Sequence, residues 1–510
     1  MQESGLLREY CLEEYRDRIL VFHRDYATGC GKNTAKAVKL DPDNPVSLKI
    51  WHYYNGTQQA TFEDLLEEFN ATVGHEDGIY VEAYSYGSVS DLEQAITSAI
   101  KAEVGAENLP DIFSSYADPA YAVQQEGKLA DLSEYFTEEE KSKYVDEYLE
   151  EGYLEDDQSL YLLPVAKSTE ILMLNKTDWE PFSEATGAKL DDLKTTEGIT
   201  EVAEKYYEWT DSQTPDVPDD GKAFYGRDSM SNYFIIGMKQ MGKEIFEVND
   251  GKVTVNTDKE LIHRLWENYY VPYMKGYFSS YGKFASDDVK TGDILAYTGS
   301  TASAFYFPDK VEKEDDSYPI EYVVQESPIM EGGENYRVQQ GAGMAVAKSE
   351  EEHEYASTVF LKWFTQKEQN LKFVCESVYM PVLKESNNIK ALEQIIKEEK
   401  IDMNHKAYDC LKTVLRDFDN TKFYTTKSFE NGYSMRKIMD YNLKDRVTAD
   451  KTAMDEAIAA GASREEELEK YDGQNGNPAY VAIDGVVYDV TNVSAWNGGV
   501  HHGNKAGQNV

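Results

Sequence analysis

Residues 47–87 indicate the fold class of this chain; their sequence is SLKIWHYYNGTQQATFEDLLEEFNATVGHEDGIYVEAYSYG. It begins with a short apolar segment that ends in a glycine turn, which predicts a strand. An amphipathic helix is predicted next, because apolar side chains recur at helical spacing: Phe62, Leu65, Leu66 and Phe69. IYVEAYSYG, residues 79–87, then alternates as a strand does. Strand, helix and strand in this order are typical of a mostly parallel α/β sheet.

The alternation continues beyond this stretch. SDLEQAITSAIKAEVG (90–105) predicts a second helix capped by Ser90, and LPDIFSSYA (109–117) predicts a strand that ends in small polar residues. Two further strand-like passages, SLYLLPVAKSTEILMLNK (159–176) and YRVQQGAGMAVAK (336–348), predict crossings between two lobes. EYASTVFLKWFTQKEQNLKFV predicts one long helix with this core face: Ala356, Val359, Phe360, Trp363 and Phe364.

The composition bounds the possible functions. With 510 residues, 41% of them hydrophobic, the chain suits about two to four domains with cores of their own. Its 94 acidic and 51 basic residues give a formal net charge of -43, which repels phosphate backbones and anionic lipid headgroups. We therefore predict no nucleic-acid partner, whereas neutral or cationic ligands are compatible with this charge. No apolar run approaches the roughly 18 residues that a membrane-spanning helix needs.

The four cysteines show no CxxC or zinc-type spacing. Cys375 and Cys410 are candidates for one disulfide, but buried free thiols are the favoured interpretation. YATGCGKN (26–33) resembles the lipobox at which bacterial lipoproteins are cut and acylated, with Ala27 where Leu is usual, so we predict Cys30 as a lipidation site. GKNTAKAVKLDPDNPV (31–46) then predicts a polar tether.

The segment before this lipobox is unlike a secretory leader. REYCLEEYRDRILVFHRDY (8–26) is charged throughout, and its apolar residues recur at helical spacing. We therefore predict an amphipathic helix that does not direct export, in a chain whose leader was altered or whose natural start lies elsewhere.

Residues 46–471 resemble the family 1 extracellular solute-binding proteins of ABC importers, the group that contains maltose- and glycerol-phosphate-binding proteins. The resemblance rests on an ordered set of passages rather than on one motif: LKIWHYYNG, LPDIFSSYADPAYAVQQEGKLADLSEYF, LLPVAKSTEILMLNKTDW, GDILAYTGSTASAF, GAGMAVAKSEEEHEYASTVFLKWFTQKEQN, VYMPVLKES and MDEAIAAGASREEELEKY. It implies an α/β, two-lobed periplasmic-binding-protein-like fold of class II, with hinge crossings and a ligand enclosed between the lobes. It also implies a monomer that serves ABC permease subunits, tied to the outer face of the cytoplasmic membrane only by a lipid anchor.

In such a fold, ligands bind at the carboxyl ends of the strands, where loops converge. This criterion selects Tyr53, Tyr54, Asn55, Gly56, Tyr84, Tyr86, Ser114, Ser115, Tyr116, Ser168, Thr169, Thr298, Gly299, Ser300, Thr301, Gln340, Gly341, Ala342 and Gly343. The set is rich in hydroxyls, amides and aromatic rings, which suit the hydroxyls and C–H faces of sugar rings. Only Lys167 and Arg227 supply cations near these loops, whereas a phosphate favours convergent basic groups. We therefore predict a neutral carbohydrate, an oligosaccharide in particular, with a glycerol phosphodiester, a polyamine or a short peptide as alternatives.

The sequence predicts neither an enzyme nor a cofactor. It contains no Gly-x-Ser-x-Gly elbow, no His-Glu-x-x-His and no phosphate-binding glycine loop. Its scattered histidines are predicted to be structural or exposed: His52, His75, His263, His353 and His405.

The sequence changes character from Ser463. SREEELEKYDG (463–473) carries a Ser463/Glu466 capping box, and PAYVAIDGVVYDVTN (478–492) predicts a hairpin with Asp484-Gly485 as its turn. This part resembles the start of a bacterial cytochrome b5-like haem/steroid-binding domain, a small α+β module. The matching positions are Trp496, Gly499, His501 and Ala506-Gly507, whereas Asn509 replaces the usual Asp.

Complete domains of this type continue further, so the chain is predicted to end within the module. His501 and His502 then form an incomplete haem site that does not bind haem tightly, although a surface haem-binding or redox protein is a competing function. The predicted division is 1–45, 46–462 and 463–510, with the late helix MDEAIAAGASREEELEKY running on to 471.

Overall fold

The computed structural model describes residues 35–155, 158–249, 251–313 and 317–463, together with strands at 480–483, 486–489, 500–501 and 504–505. Two α/β lobes account for most of these residues. None of the helices in these ranges combines the length and the apolar character needed to span a membrane.

The strands follow one another along the chain as β1 Val46–His52, β2 Ile79–Ser85, β3 Ile112–Ser115, β4 Glu170–Asn175, β5 Tyr225–Arg227, β6 Phe246–Asn249, β7 Lys252–Val255, β8 Ala296–Ser300, β9 Lys310–Val311, β10 Tyr318–Pro319, β11 Tyr322–Glu326, β12 Tyr336–Val338, β13 Gly343–Val346, β14 Lys422–Tyr424, β15 Tyr480–Ile483, β16 Val486–Asp489, β17 Val500–His501 and β18 Asn504–Lys505.

The α-helices are α1 Gly56–Ala71, α2 Val73–Asp77, α3 Val89–Ile100, α4 Ala117–Gln125, α5 Glu138–Ser142, α6 Asp146–Glu150, α7 Lys176–Thr186, α8 Thr196–Asp211, α9 Met230–Gln240, α10 Lys259–Glu267, α11 Tyr270–Met274, α12 Ala285–Thr291, α13 Glu351–Phe364, α14 Lys367–Ser377, α15 Ile389–Glu399, α16 His405–Arg416 and α17 Gly432–Ala459. Short 3-10 helices lie at Leu132–Glu134, Leu190–Lys194, Thr301–Tyr306, Lys384–Ser386 and Phe418–Asn420.

Lobe 1 is built on a four-stranded sheet with the order β13-β3-β1-β2. β1 runs parallel to both β2 and β3, whereas β13 returns antiparallel to β3. Helix α1 buries the apolar face that its sequence predicts: Phe62, Leu65, Leu66 and Phe69. The predicted mostly parallel α/β sheet is therefore confirmed.

Lobe 2 has its own four-stranded sheet, in the order β11-β4-β8-β5. Every residue of β4 is buried, because helices pack on both faces of this sheet. β4 pairs antiparallel with β8 and β11, and β5 is parallel to β8. The two sheets confirm the predicted two-lobed fold.

Both predicted crossings join the lobes. Residues 159–169 lead from lobe 1 into β4, and β12 leads back to β13 through residues 339–342. A third passage, residues 400–431, was not predicted. In it, α16 packs on lobe 2 through hydrogen bonds from Lys406 Nζ to Phe307 O (2.6 Å) and from Tyr322 OH to Asp409 (2.7 Å), and β14 pairs with β12.

Two helix predictions were wrong in detail. Ser88, not Ser90, caps α3, since the extended Ser88 accepts a hydrogen bond from Asp91 N at 3.2 Å while Ser90 lies within the first turn. The long helix predicted after residue 353 is two helices, α13 and α14. The break follows Thr365, because Gln366 adopts an extended conformation with a ψ of 152° and so ends one helix and precedes the next.

The predicted tether is partly docked on lobe 1. Lys36 N donates to Glu134 O at 2.8 Å, and Lys36 Nζ lies 2.9 Å from Glu351. Residues 35–45 therefore follow the surface of the lobe rather than leaving it. Cys30 and the segment 1–34 lie outside the described residues.

The C-terminal predictions had mixed outcomes. The late helix does not run on to 471, because α17 ends at Ala459 and Gly461 adopts a left-handed φ of 104°. The hairpin is confirmed, since β15 and β16 pair antiparallel with Ile483 opposite Val486. The Ser463/Glu466 capping box and His502 fall outside the described residues, and of His501 only its place in β17 is described.

Candidate functional site

The two sheets direct their loops toward each other at one place, which we call the interlobe cleft. On lobe 1 it is bounded by the carboxyl ends of β1, β2 and β3. On lobe 2 it is bounded by the start of β4 and the ends of β5 and β8, because Glu170 pairs with Ser300 and Arg227 with Thr298. Between the lobes, Ser168 and Gln340 exchange two backbone hydrogen bonds of 2.9 Å. The predicted Ser168 and Gln340 therefore lie together on the two crossings.

A group of tyrosines forms the lobe 1 wall. Tyr53 OH lies 3.4 Å from Tyr379 OH, and Tyr54 packs edge-to-face on Phe62. Burial, together with the neighbouring Tyr379 hydroxyl, raises the pKa of Tyr53, Tyr54 and Tyr116 above the ordinary tyrosine value. These hydroxyls therefore remain protonated hydrogen-bond donors at neutral pH.

A buried ion pair fastens the first crossing to lobe 1. Lys167 Nζ lies 2.5 Å from Glu151 Oε2 and 2.8 Å from Gly341 O, and Gln339 Nε2 donates to the same Glu151 oxygen. Gly341 has a φ of 93°, and a Cβ there would lie 2.7 Å from Ala166 O, so only glycine fits between the crossings. The predicted Gly341 thus has a structural reason for its identity.

A second buried ion pair lies on the lobe 2 side. Arg227 Nη2 lies 2.9 Å from Glu170 Oε2, and Asn232 Nδ2 donates to Glu170 Oε1 at 3.0 Å. Both members of the ion pair are 6% exposed. Lys167 and Arg227, the two cations predicted near the site, are therefore each neutralised by a buried carboxylate.

Several predicted polar residues have buried side-chain oxygen atoms without a hydrogen-bond partner in the described part of the chain. Thr169 Oγ1, Thr301 Oγ1 and Gln340 Oε1 have no hydrogen-bond partner among the residues that the structure describes. The backbone still connects them, because Thr301 N donates to Thr169 O at 2.8 Å. Because a buried polar atom without a hydrogen bond is costly, a further hydrogen-bond donor at any of these oxygens would be stabilising.

The remaining predicted residues have local partners. Thr298 Oγ1 accepts from Tyr225 OH at 2.7 Å, Gly299 lies beside Asp228, and Ser300 caps the 3-10 helix by accepting from Ala302 N at 3.3 Å.

The predicted residues of lobe 1 have local partners as well. Asn55 donates to Gly87 O at 3.1 Å, and Ser115 donates to Tyr116 O at 2.9 Å. Tyr84 donates to Glu82 at 3.1 Å and is half-exposed, whereas Gly343 is buried against Leu163. These contacts position loops at the cleft and at its rim.

Sequence reasoning missed a set of exposed aromatic residues on lobe 2. They follow or adjoin the cleft ends of β5 and β8, and they are Phe284, Phe305, Tyr306 and Tyr441. Tyr306 is 70% exposed, in the 3-10 helix after Ser300. The chain has 38 tyrosines and 19 phenylalanines, so residue type alone did not single these out.

Two carboxylates hold the segments that carry these rings. Asp228 Oδ1 accepts from Ala285 N at 2.9 Å, which places Phe284 beside the end of β5. Asp440 Oδ1 accepts from Ser231 N at 2.7 Å, which places the neighbouring Tyr441 near the same end of β5.

The histidines have the structural or exposed positions predicted for them. His52 is buried, its Nδ1 accepts from Tyr54 N at 3.1 Å, and burial lowers its pKa to about 4. His353 Nδ1 pairs with Asp111 at 2.7 Å, and His75 and His405 are exposed. Sequence reasoning also missed three acidic residues at the cleft, Glu93, Asp118 and Glu151, because acidic residues are abundant throughout this chain.

Comparison with solved structures shows the same fold. The cyclic alpha-maltosyl-1,6-maltose binding protein from Arthrobacter globiformis matches with a TM-score of 0.58 and 17% identity, over 84% of this chain and 97% of that chain. UgpB from Mycobacterium tuberculosis in complex with glycerophosphocholine has a TM-score of 0.58 and 16% identity, over 80% and 97%. The galacto-N-biose-/lacto-N-biose I-binding protein of the ABC transporter from Bifidobacterium longum, in complex with lacto-N-biose, has a TM-score of 0.57 and 14% identity, over 80% and 95%.

A search of curated protein sequences finds no match. The family model for bacterial extracellular solute-binding proteins, in contrast, matches residues 64–401, well over half of the chain and parts of both lobes. This chain therefore belongs to the bacterial extracellular solute-binding protein family.

Proposed function

We propose that this protein is the substrate-binding component of an ABC importer and that residues 46–462 capture a neutral oligosaccharide in the interlobe cleft. Two of the similar structures described above are sugar-binding proteins by name or bound ligand. The unpartnered oxygens of Thr169, Thr301 and Gln340 supply acceptors for sugar hydroxyls. Binding and release, without a chemical step, is the function that this arrangement supports.

The observation that carries the choice of a neutral ligand is the pairing of the buried cations. A phosphate ester gains its binding energy from basic groups that are free to contact it. Lys167 already contacts Glu151, and Arg227 already contacts Glu170. Freeing either cation would leave a buried carboxylate uncompensated, which is expensive.

The exposed aromatic residues of lobe 2 supply the other half of a sugar site. Their side chains are exposed beside the cleft, and an exposed aromatic ring can stack on the C–H face of a sugar ring. A solute that fills the cleft would contact these rings together with the tyrosine wall of lobe 1.

A panel of ligands in thermal shift and calorimetric titration tests the proposal. At a hundredfold excess over Kd, a bound glycan stabilises the folded protein by about 2.7 kcal/mol. We expect a clear shift with at least one neutral oligosaccharide, saturating at one ligand per chain. A shift with glycerophosphocholine, spermidine or a short peptide, and none with any glycan, would overturn the proposal and identify the alternative class.

We propose further that Cys30 is acylated in the natural protein and that the lipid is its only attachment to the membrane. The motif YATGCGKN supports this, as does the docking of Lys36 on lobe 1, which leaves few residues between the lobe and the anchor. Metabolic labelling with an alkyne palmitate, in a bacterial host and behind a functional leader, should label the wild type and not Cys30→Ala. Equal labelling of both would exclude this site.

We propose finally that residues 463–510 belong to a cytochrome b5-like module that does not hold haem tightly in this chain. The hairpin of β15 and β16 supports the resemblance. His501 and His502 offer one axial nitrogen between them, while every other histidine lies at or before His405. Titration with hemin should give no saturable Soret change. A one-to-one six-coordinate spectrum that His501→Ala or His502→Ala abolishes would contradict the proposal.

A further inference from the structure

Lobe 2 contacts helix α4 of lobe 1 at two separate places. At the first, Gly432 begins α17 so close to Asp118 that a Cβ on Gly432 would lie 2.7 Å from the Asp118 Cγ. Arg436, one turn further along α17, has its Nε 3.5 Å from Asp118 Oδ2. At the second, a Cβ on Gly251, in the turn between β6 and β7, would lie 3.5 Å from the hydroxyl of Tyr121. Both contacts join the lobes beside the interlobe cleft, because α4 follows the carboxyl end of β3.

The first contact buries a carboxyl group whose two oxygens are not both paired among the described residues. The Asp118 side chain is 9% exposed, and its Oδ1 has no hydrogen-bond partner within the described ranges. Arg436 divides its guanidinium between Asp118 and the hydroxyls of Thr425 and Thr426, which accept from Nη2 at 2.9 and 2.8 Å.

A second carboxylate lies at the same contact. Glu93 of α3 faces Tyr433 and Lys437 of α17, and its Oε1 is also buried without a partner among the described residues. Glu151 adds a further negative charge near Asp118, although it is paired with Lys167.

We propose that the contact between α4 and the start of α17 is a proton-sensitive latch, which holds the two lobes together more firmly as the pH falls. Only closure of the lobes brings Gly432 over Asp118, so closure and removal of this carboxyl from water are the same event. The latch acts on the lobes whether or not a solute is bound. Its function is thus separate from the choice of ligand.

The direction follows from the balance of opposing effects. Removal from water and the negative charge of Glu151 disfavour the charged carboxylate, whereas Arg436 and a hydrogen bond from the Phe429 backbone favour it. Burial is the larger effect and raises the pKa of Asp118 from 3.8 to about 6; burial also raises the pKa of Glu93. When the lobes separate, water returns to Asp118 and its pKa falls toward the ordinary value. The closed form therefore binds the proton more tightly, and acidification from pH 7.5 to 4.5 favours closure.

The test measures the distance between the lobes in the full chain without any solute. Spin labels on Val104→Cys in lobe 1 and Val217→Cys in lobe 2 report the distance, since both positions are exposed. The background carries Cys11→Ser and Cys30→Ser, while Cys375 and Cys410 are buried. We expect the ratio of closed to open molecules to rise by about ten- to thirtyfold between pH 7.5 and 4.5, as a difference of about two pKa units allows over this interval.

Asp118→Asn should remove most of this rise and favour closure already at pH 7.5, because the amide is neutral at every pH. Asp288→Asn is the matched control. Burial raises the pKa of Asp288 as well, but this carboxyl accepts hydrogen bonds from Tyr281 N and Gly282 N within lobe 2 and does not take part in the latch. Opening on acidification, or a full pH dependence in Asp118→Asn, would overturn the proposal.

Gly432→Ala supplies an independent steric test. The added methyl group overlaps Asp118 only when the lobes are closed, while alanine is favoured over glycine in the helix itself. We expect an unchanged circular dichroism spectrum and thermal midpoint, with the distance distribution shifted to the open form at every pH. A closed distribution in this variant would also contradict the latch.

Discussion

Lys167 and Glu151 form an ion pair of 2.5 Å in which the lysine side chain is 1% exposed and the glutamate side chain 7% exposed. Lys167 N also donates to Met380 O at 3.0 Å, so this one residue joins the first crossing to two segments of lobe 1. Three residues later, Glu170 joins the start of β4 to Arg227 and Asn232 of lobe 2. Each end of the passage between the lobes is thus held by a buried ion pair.

Removing one member of the Lys167–Glu151 ion pair should lower the stability of the protein. We expect Lys167→Met to lower the free energy of unfolding by about 3–5 kcal/mol, because Glu151 is then a buried charge without a counter-ion. The double variant Lys167→Met/Glu151→Gln should recover much of this loss. Urea unfolding monitored by tryptophan fluorescence measures both. Lys384→Met is the control, since its ion pair with Asp146 is exposed and its loss should cost less than about 1 kcal/mol. Equal losses in Lys167→Met and the control would show that the buried pair does not stabilise the crossing.

The exposed ring of Tyr306 should contribute to solute binding. Because a stacked aromatic ring is worth about 0.5–1.5 kcal/mol, we expect Tyr306→Ala to weaken the affinity for the bound glycan by roughly two- to tenfold. Tyr80→Ala is the matched control: Tyr80 is 46% exposed on β2 but lies opposite Ser47, at the end of the sheet away from the cleft. Calorimetric titration of both variants gives the comparison. Unchanged affinity in Tyr306→Ala would remove the ring from the binding site.

His52 should make stability fall in mild acid. Burial lowers its pKa from 6.5 to about 4, so the unfolded chain takes up a proton below pH 6.5 that the folded protein refuses until about pH 4. The contribution of neutral His52 is complete above pH 6.5 and declines by about 3 kcal/mol as the pH falls through this interval. The difference in unfolding free energy between wild type and His52→Asn, measured from pH 7.5 to 4.5, isolates this residue from the carboxyl groups. A constant difference across this range would contradict the assignment.

Cys375 and Cys410 should react only after unfolding. Both are buried and free, and burial raises the pKa of the Cys375 thiol to about 12 and that of Cys410 further still. Thiolate is the reactive form, so we expect negligible alkylation of either residue by iodoacetamide at pH 8 in the native protein and complete alkylation in urea. Peptide mass spectrometry reads the two positions separately from Cys11 and Cys30. Rapid native labelling of Cys410 would show that the packing around α16 opens readily.

The fold was predictable because the apolar periodicity is strong and local. The spacing of Phe62, Leu65, Leu66 and Phe69 matches the buried face of α1, and the alternation of residues 79–87 matches β2. Local competition was harder to anticipate. Whether Ser88 or Ser90 caps α3 depends on which of them is extended, and the break after Thr365 depends on the extended conformation of Gln366.

For the site, the position of the loops could be predicted, but the contacts and exposure of their side chains could not. Ser168, Thr169, Thr301 and Gln340 could be placed at the cleft because they follow or precede strands whose order was recognised. The partners of Lys167 and Arg227 could not be predicted, since the chain has 94 acidic residues and the sequence does not distinguish among them. The exposure of Tyr306 likewise depends on how its helix leaves Ser300, which a one-dimensional pattern does not record.

The two buried ion pairs, Lys167–Glu151 and Glu170–Arg227, determine what kind of motion the lobes can make. Between Lys167, fixed on lobe 1, and Glu170, fixed on lobe 2, lie only Ser168 and Thr169. Three Cα steps of 3.8 Å reach about 11 Å at full extension, and two residues contribute only a few soft torsions. The lobes can therefore rotate about this point but cannot draw apart or slide. A solute that fills the cleft therefore changes the angle between the two lobes, and this angle is what a partner at the outer surface can detect.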